Sequence, residues 1–82
     1  MKLTIESTTK IVTIKPSPLG DGVPARVWEG VSESGIKVHC YITRVAIPIE
    51  EQDRAEDFKA ELKECKAPSV EVEAIPTRLI ID

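Results

Sequence analysis

The hydrophobic period of this chain switches from two to helical after Pro48, and that switch sets the fold class. Residues 36–47 (IKVHCYITRVAI) alternate. Ile36, Val38, Cys40 and Ile42 point one way, and Lys37, His39, Tyr41 and Thr43 point the other. Alternation at period two marks a half-buried strand, and Pro48 closes it because proline cannot continue a ladder. Beyond Pro48 the period becomes helical. Ala55, Phe58, Leu62 and Cys65 recur at steps of three and four, so residues 50–66 predict a helix with one apolar stripe. Asp53 followed by Glu56 reads as a capping box. Early acids and later lysines suit the helix dipole, and Pro68 is the stop.

Upstream, residues 2–6 and 10–15 each alternate, but with opposite parity. A bulge or short hairpin near Ser7–Thr9 reconciles them. Residues 16–24 (PSPLGDGVP) hold three prolines and two glycines, the composition of a loop. Residues 25–31 read as a strand. Residues 32–35 read as a hairpin turn, with Gly35 taking a left-handed conformation. Downstream, residues 70–74 (VEVEA) alternate again, and residues 78–81 (RLII) form a last apolar strand. The expected fold is therefore α+β, one domain over residues 1–82. It has a single antiparallel sheet of 4–5 strands in the order β-β-β-α-β, with the helix packed on one face.

The apolar share of 41% and charged share of 30% are those of a folded chain rather than a disordered one. No apolar run is long enough for a membrane span, and MKLTIESTTK lacks the apolar core of an export signal. The expected setting is the cytoplasm, with no membrane contact. Cys40 and Cys65, in such a setting, read as free thiols acting as small hydrophobes. The net charge of −3 argues against a dedicated nucleic-acid binder, since phosphate contacts need an excess of lysine and arginine. Charge is also uneven: residues 1–49 sum to +2 (six bases, four acids) and residues 50–82 to −5 (five bases, ten acids).

Catalysis is not expected. His39 is the sole histidine. Its strand neighbour Cys40 points to the opposite face, so the two cannot share a metal or form a nucleophile pair. No serine sits in a nucleophile-elbow pattern, and Gly20-Asp21-Gly22 lacks the lysine and helix of a phosphate loop. No cofactor and no metal ligand set is read from the chain.

Two surfaces are candidates for binding. Arg26 and Trp28 on one strand, with Lys37, His39 and Tyr41 on the next, would form an open aromatic and basic face if the helix covered Val27, Val38 and Cys40. Such faces anchor proteins or stack single-stranded nucleic acid. The plain alternative is that Trp28 packs over residues 16–24, with Tyr41 beside it. The second surface is the helix. Half of all acids fall in residues 50–64, with Glu56, Asp57 and Glu61 as the candidate contacts; the plain alternative is a solvated face.

The strings GVPARVWEG (residues 22–30), GIKVHCYITRVAI (residues 35–47) and APSVEVEAIPTRLI (residues 67–80) resemble small proteins encoded by phages and prophages of proteobacteria. The resemblance covers most of the chain. It implies a phage-borne accessory protein, of the anti-CRISPR kind, that sticks to a host complex and blocks it. It supplies no catalytic residues. The expected function is thus a non-enzymatic module occluding a host defence or nucleic-acid-processing complex. A nucleic-acid or nucleotide binder is one alternative. A virion component or self-assembling homodimer, pairing through residues 78–81, is another.

Overall fold

The computed structural model describes residues 1–15, 22–75 and 80–81. Most of the expected loop at 16–24, and residues 78–79 of the expected last strand, lie outside the described residues. Three strands form an antiparallel sheet: β1 (Leu3–Lys15), β2 (Val23–Ser32) and β3 (Lys37–Ile42). A 3-10 helix (Ile49–Arg54) runs into α1 (Ala55–Leu62), and a one-turn helix α2 (Val70–Glu73) follows. A short β4 (Ile80–Ile81) lies beside β1 in parallel, so that pairing is not the antiparallel one expected. The spatial order is β3-β2-β1-β4.

A bulge lies at the expected place in β1, but it shifts the register by two residues and so does not reconcile the parity: Leu3 and Ile5 share a face with Trp28, and Val12 and Ile14 share one with Val27. Ser7 pairs with Trp28 and Ile11 with Arg26, so β1 carries extra residues between them. Thr8 sits in this bulge, fully buried. Its hydroxyl donates to the Val27 carbonyl at 2.6 Å and accepts from the Lys10 amide at 3.3 Å. The Arg26 guanidinium donates to the Thr8 carbonyl at 2.7 Å. A buried hydroxyl left unpaired would be costly, and here the bulge supplies its partners. The outer side of the bulge is closed by Lys66, whose amide donates to Ser7 O at 3.1 Å and whose carbonyl accepts from the Thr9 amide at 3.0 Å.

The β2–β3 turn forms as expected. The Gly35 amide donates to Ser32 O at 3.0 Å, and Gly35 has φ +86°, a conformation only glycine adopts cheaply. The Ser32 amide then donates to Ile36 O at 2.9 Å. This three-residue loop fixes the register: Val27 opposes Tyr41, and Trp28 opposes Cys40. Directly opposed residues share a face. The expected grouping of Val27 with Val38 and Cys40 is therefore wrong, and so is the shared face of Trp28 and Tyr41. Strand β3 also ends at Ile42 rather than continuing to residue 47.

The core lies on the Val27 face. Val12, Ala25, Val27 and Val72 are buried there, with Ile14, Tyr41 and Ile75 packed against them. Val72 belongs to α2, in the segment expected to be a strand. The alternation of Val70 and Val72 is real, but Ser69 overrides it. Its hydroxyl accepts from the Val72 amide at 3.3 Å and caps a helical turn. Val72 turns inward, while Val70 stays 85% exposed.

The helix expected at 50–66 is shorter, and it does not build the core. Asp53 lies inside the 3-10 turn, and neither that turn nor α1 has a side-chain cap. α1 contains no buried residue. Its Leu62 instead borders the Trp28 face of the sheet. The chain thus runs from α1 on one face, past the β1 edge at Lys66, to α2 on the other.

Candidate interaction surface

The register splits the five candidate sheet residues between two faces. Arg26 and Trp28 lie on one, opposite Ile42 and Cys40. Lys37, His39 and Tyr41 lie on the other, opposite Val31, Glu29 and Val27. Tyr41 is half-buried against the core, whereas Lys37 and His39 are exposed.

On the first face Trp28 is half-buried beside a groove of about 320 Å³. Ile11, Ile42 and Leu62 give it apolar walls, and Arg26 and Arg44 bring cationic groups to it. Arg26 is fixed by its bond to the Thr8 carbonyl, whereas Arg44 is exposed. Sequence reasoning missed Arg44 and Leu62. Arg44 falls just past the end of β3, and Leu62 was assigned to the helix's core stripe. An indole and a fixed guanidinium around an apolar floor make the usual chemistry of an interface anchor.

On the second face, beyond the N-terminus of α2, an open groove of about 530 Å³ is lined by Lys37, His39, Glu29, Lys66 and Glu71, with Val31 and Val38. Glu29 organises it. Its carboxylate accepts from Lys66 Nζ at 2.7 Å and from the Ser69 amide at 3.2 Å, and its side chain is only 11% exposed. The Lys66 bond and then the Ser69 contacts hold the Glu29 carboxyl below the usual carboxylate range, against the opposing effect of burial. The same bond holds the Lys66 ammonium above the usual lysine range. The Glu71 carboxyl is lowered by its own backbone amide, then by the Ser69 hydroxyl and the Lys37 charge. Lys37 lies 3.8 Å from Glu71, an exposed pair of little energetic weight. The polar groups of this groove are largely engaged with one another, which suits a structural clasp more than a binding site. Glu29 was another residue the sequence reading passed over. Its parity with Val27 in β2 was the available signal.

The acidic helix keeps its exposed face. Glu56 and Glu51 are paired with Lys59 and Arg54 at 3.4 and 3.6 Å, while Asp57 and Glu61 make no ion pair among the described residues. Asp57 and Glu61 border a small pocket of about 220 Å³ floored by Phe58 and Ile47. Both cysteines are free and half-buried. Among the described residues no group of three or more His, Cys, Asp or Glu could hold a metal ion, and no helix is long and apolar enough to cross a membrane. No family model matches this chain, and no curated protein or solved structure is significantly similar to it.

Proposed function

We propose that this chain is a non-enzymatic protein-binding module that seats its Trp28 groove on a partner and occludes the surface it covers. The observation that carries the reading is the half-buried Trp28 beside an apolar groove with Arg26 and Arg44 at its margin. Tryptophan and arginine beside a concave apolar surface contribute most when a partner desolvates them. The resemblance to phage-encoded proteins directs the choice of partner toward a host defence or nucleic-acid-processing complex in the cytoplasm. Nucleic-acid stacking is the weaker reading, because Trp28 and Tyr41 stand on opposite faces and form no common platform.

The test is affinity capture from nuclease-treated bacterial lysate, with Trp28→Ala and Arg44→Glu run beside the parent chain. A defined complex held by the parent and lost by both variants supports the groove. Truncating a central aromatic anchor costs about 2 kcal/mol or more, roughly thirtyfold in affinity. Capture that survives both substitutions but fails on charge reversal at Asp57 and Glu61 would move the interface to the helix.

A further inference from the structure

Strand β3 is the edge of the sheet, and β2 is the only strand paired with it among the described residues. Ser32 and Ile36 form a hydrogen-bonded pair at the hairpin turn. Bonded and non-bonded pairs alternate along an antiparallel ladder. In β3, Val38 and Cys40 therefore bond inward to β2. The amides and carbonyls of Lys37, His39 and Tyr41 point outward from the sheet. Natural sheets blunt such edges with charged side chains, prolines, bulges or covering segments, and of these β3 has only the exposed Lys37. Strand β1 shows that treatment: Lys66 closes its bulge, and β4 pairs at Ile14 and Lys15. Strand β3 has neither proline nor bulge.

We propose that a second copy of this chain pairs here, β3 against β3 in antiparallel fashion, about a two-fold axis through His39. Self-complementarity argues for this occupant. With His39 opposite His39 of the second copy, Lys37 meets Tyr41 and Tyr41 meets Lys37, so every outward donor and acceptor of the strand is used. On the opposite face Val38 meets Cys40, and Ile36 meets Ile42. Ile36 is 64% exposed in one copy and gains an apolar neighbour in this register. Other two-fold registers fit worse, and an axis at Val38 sets Lys37 against His39 and Tyr41 against the Gly35 turn. An axis at Lys37 sets that lysine against itself and runs into the Gly35 turn. An axis at Cys40 or Tyr41 leaves Ile36 unmatched and recruits Thr43, where the strand has already ended. The assembly is one sheet running continuously through both copies. It shares Ile42 with the wall of the Trp28 groove but does not use Trp28, Arg26 or Arg44.

Sedimentation equilibrium from micromolar to millimolar protein, joined with amide exchange by NMR, tests this. The expected result is a monomer–dimer equilibrium in which the Lys37, His39 and Tyr41 amides gain protection as concentration rises. His39→Pro removes an outward donor without touching the β2 ladder and is expected to weaken the dimer by more than about tenfold. Ile36→Lys alters only an exposed residue beside the strand. It should weaken the dimer similarly, which guards against a folding defect in the proline variant. Trp28→Ala should leave dimerisation unchanged. A monomer at every concentration, with those three amides unprotected, overturns the proposal. So does a dimer that both β3 variants leave intact.

Discussion

Glu29 joins three parts of the molecule. It stands in β2, receives the Lys66 ammonium and caps the backbone leading into α2 through the Ser69 amide. Its acidity is raised in the folded state, so its contribution to stability is complete above the usual carboxylate range. That contribution is lost as pH falls through the lowered folded value. Lys66 behaves oppositely: its share is complete below the usual lysine range and is lost as pH rises through the raised folded value. Urea unfolding of the parent and Glu29→Gln, followed from neutral to acid pH, should give curves that converge at the acid end. Parallel curves would show that the clasp carries no stability. None of this was legible in the sequence, because the partners lie 37 and 40 residues away. What was legible at this scale was local: Gly35 in its left-handed turn, and the place of the bulge near Ser7–Thr9.

At the scale of elements, the three long strands could be read from alternation, because period two persists whatever packs above it. The helices could not. VEVEA in isolation satisfies a strand template, and only the capping hydroxyl of Ser69 and the docking of Val72 make it a turn of helix. The apolar stripe of residues 55–65 gave the opposite error. It is genuine, yet Ala55, Phe58 and Leu62 are only half-buried, so periodicity exaggerated its share of the core. The two helices should therefore respond differently to substitution. Val72→Ala is expected to cost about 2 kcal/mol through the void left at a fully buried site. Ser69→Ala should cost about 1 kcal/mol through the lost cap. Phe58→Ala on α1, by contrast, should cost less than Val72→Ala despite the larger truncation. Chemical denaturation of the three variants checks the ranking, and a larger loss at Phe58 would show that α1 is part of the core. The candidate site divided in the same way. Trp28 and Arg26 were identified from composition and spacing, but their separation from Tyr41 follows from the turn's loop length, which a residue pattern does not specify.

The molecule as a whole is spread thinly for its length. Its Cα radius of gyration is 14.3 Å, against about 12 Å for a compact domain of this size. A fully buried core of Val12, Ala25, Val27 and Val72 is small, and net stability of a few kcal/mol is the expectation. Anything that binds the folded form then raises apparent stability by mass action. The unfolding midpoint should rise with protein concentration if β3 pairs as proposed, and with added partner if the Trp28 groove is occupied.

The bridge between Thr8 and Lys66 also sets an order of events in time. The β2–β3 hairpin closes across a few residues, whereas the Lys66 crossing and the docking of α2 must bring together segments nearly sixty residues apart. Closing the larger loop costs more chain entropy, and non-local contacts repay that cost late. We expect φ-values that are substantial at Val27 and near zero at Val72, so that softening α2 speeds unfolding while leaving refolding almost unchanged. The turn of helix that completes the core would then also be its release point, since whatever loosens Lys66 from the bulge opens one face of the sheet without first separating the strands.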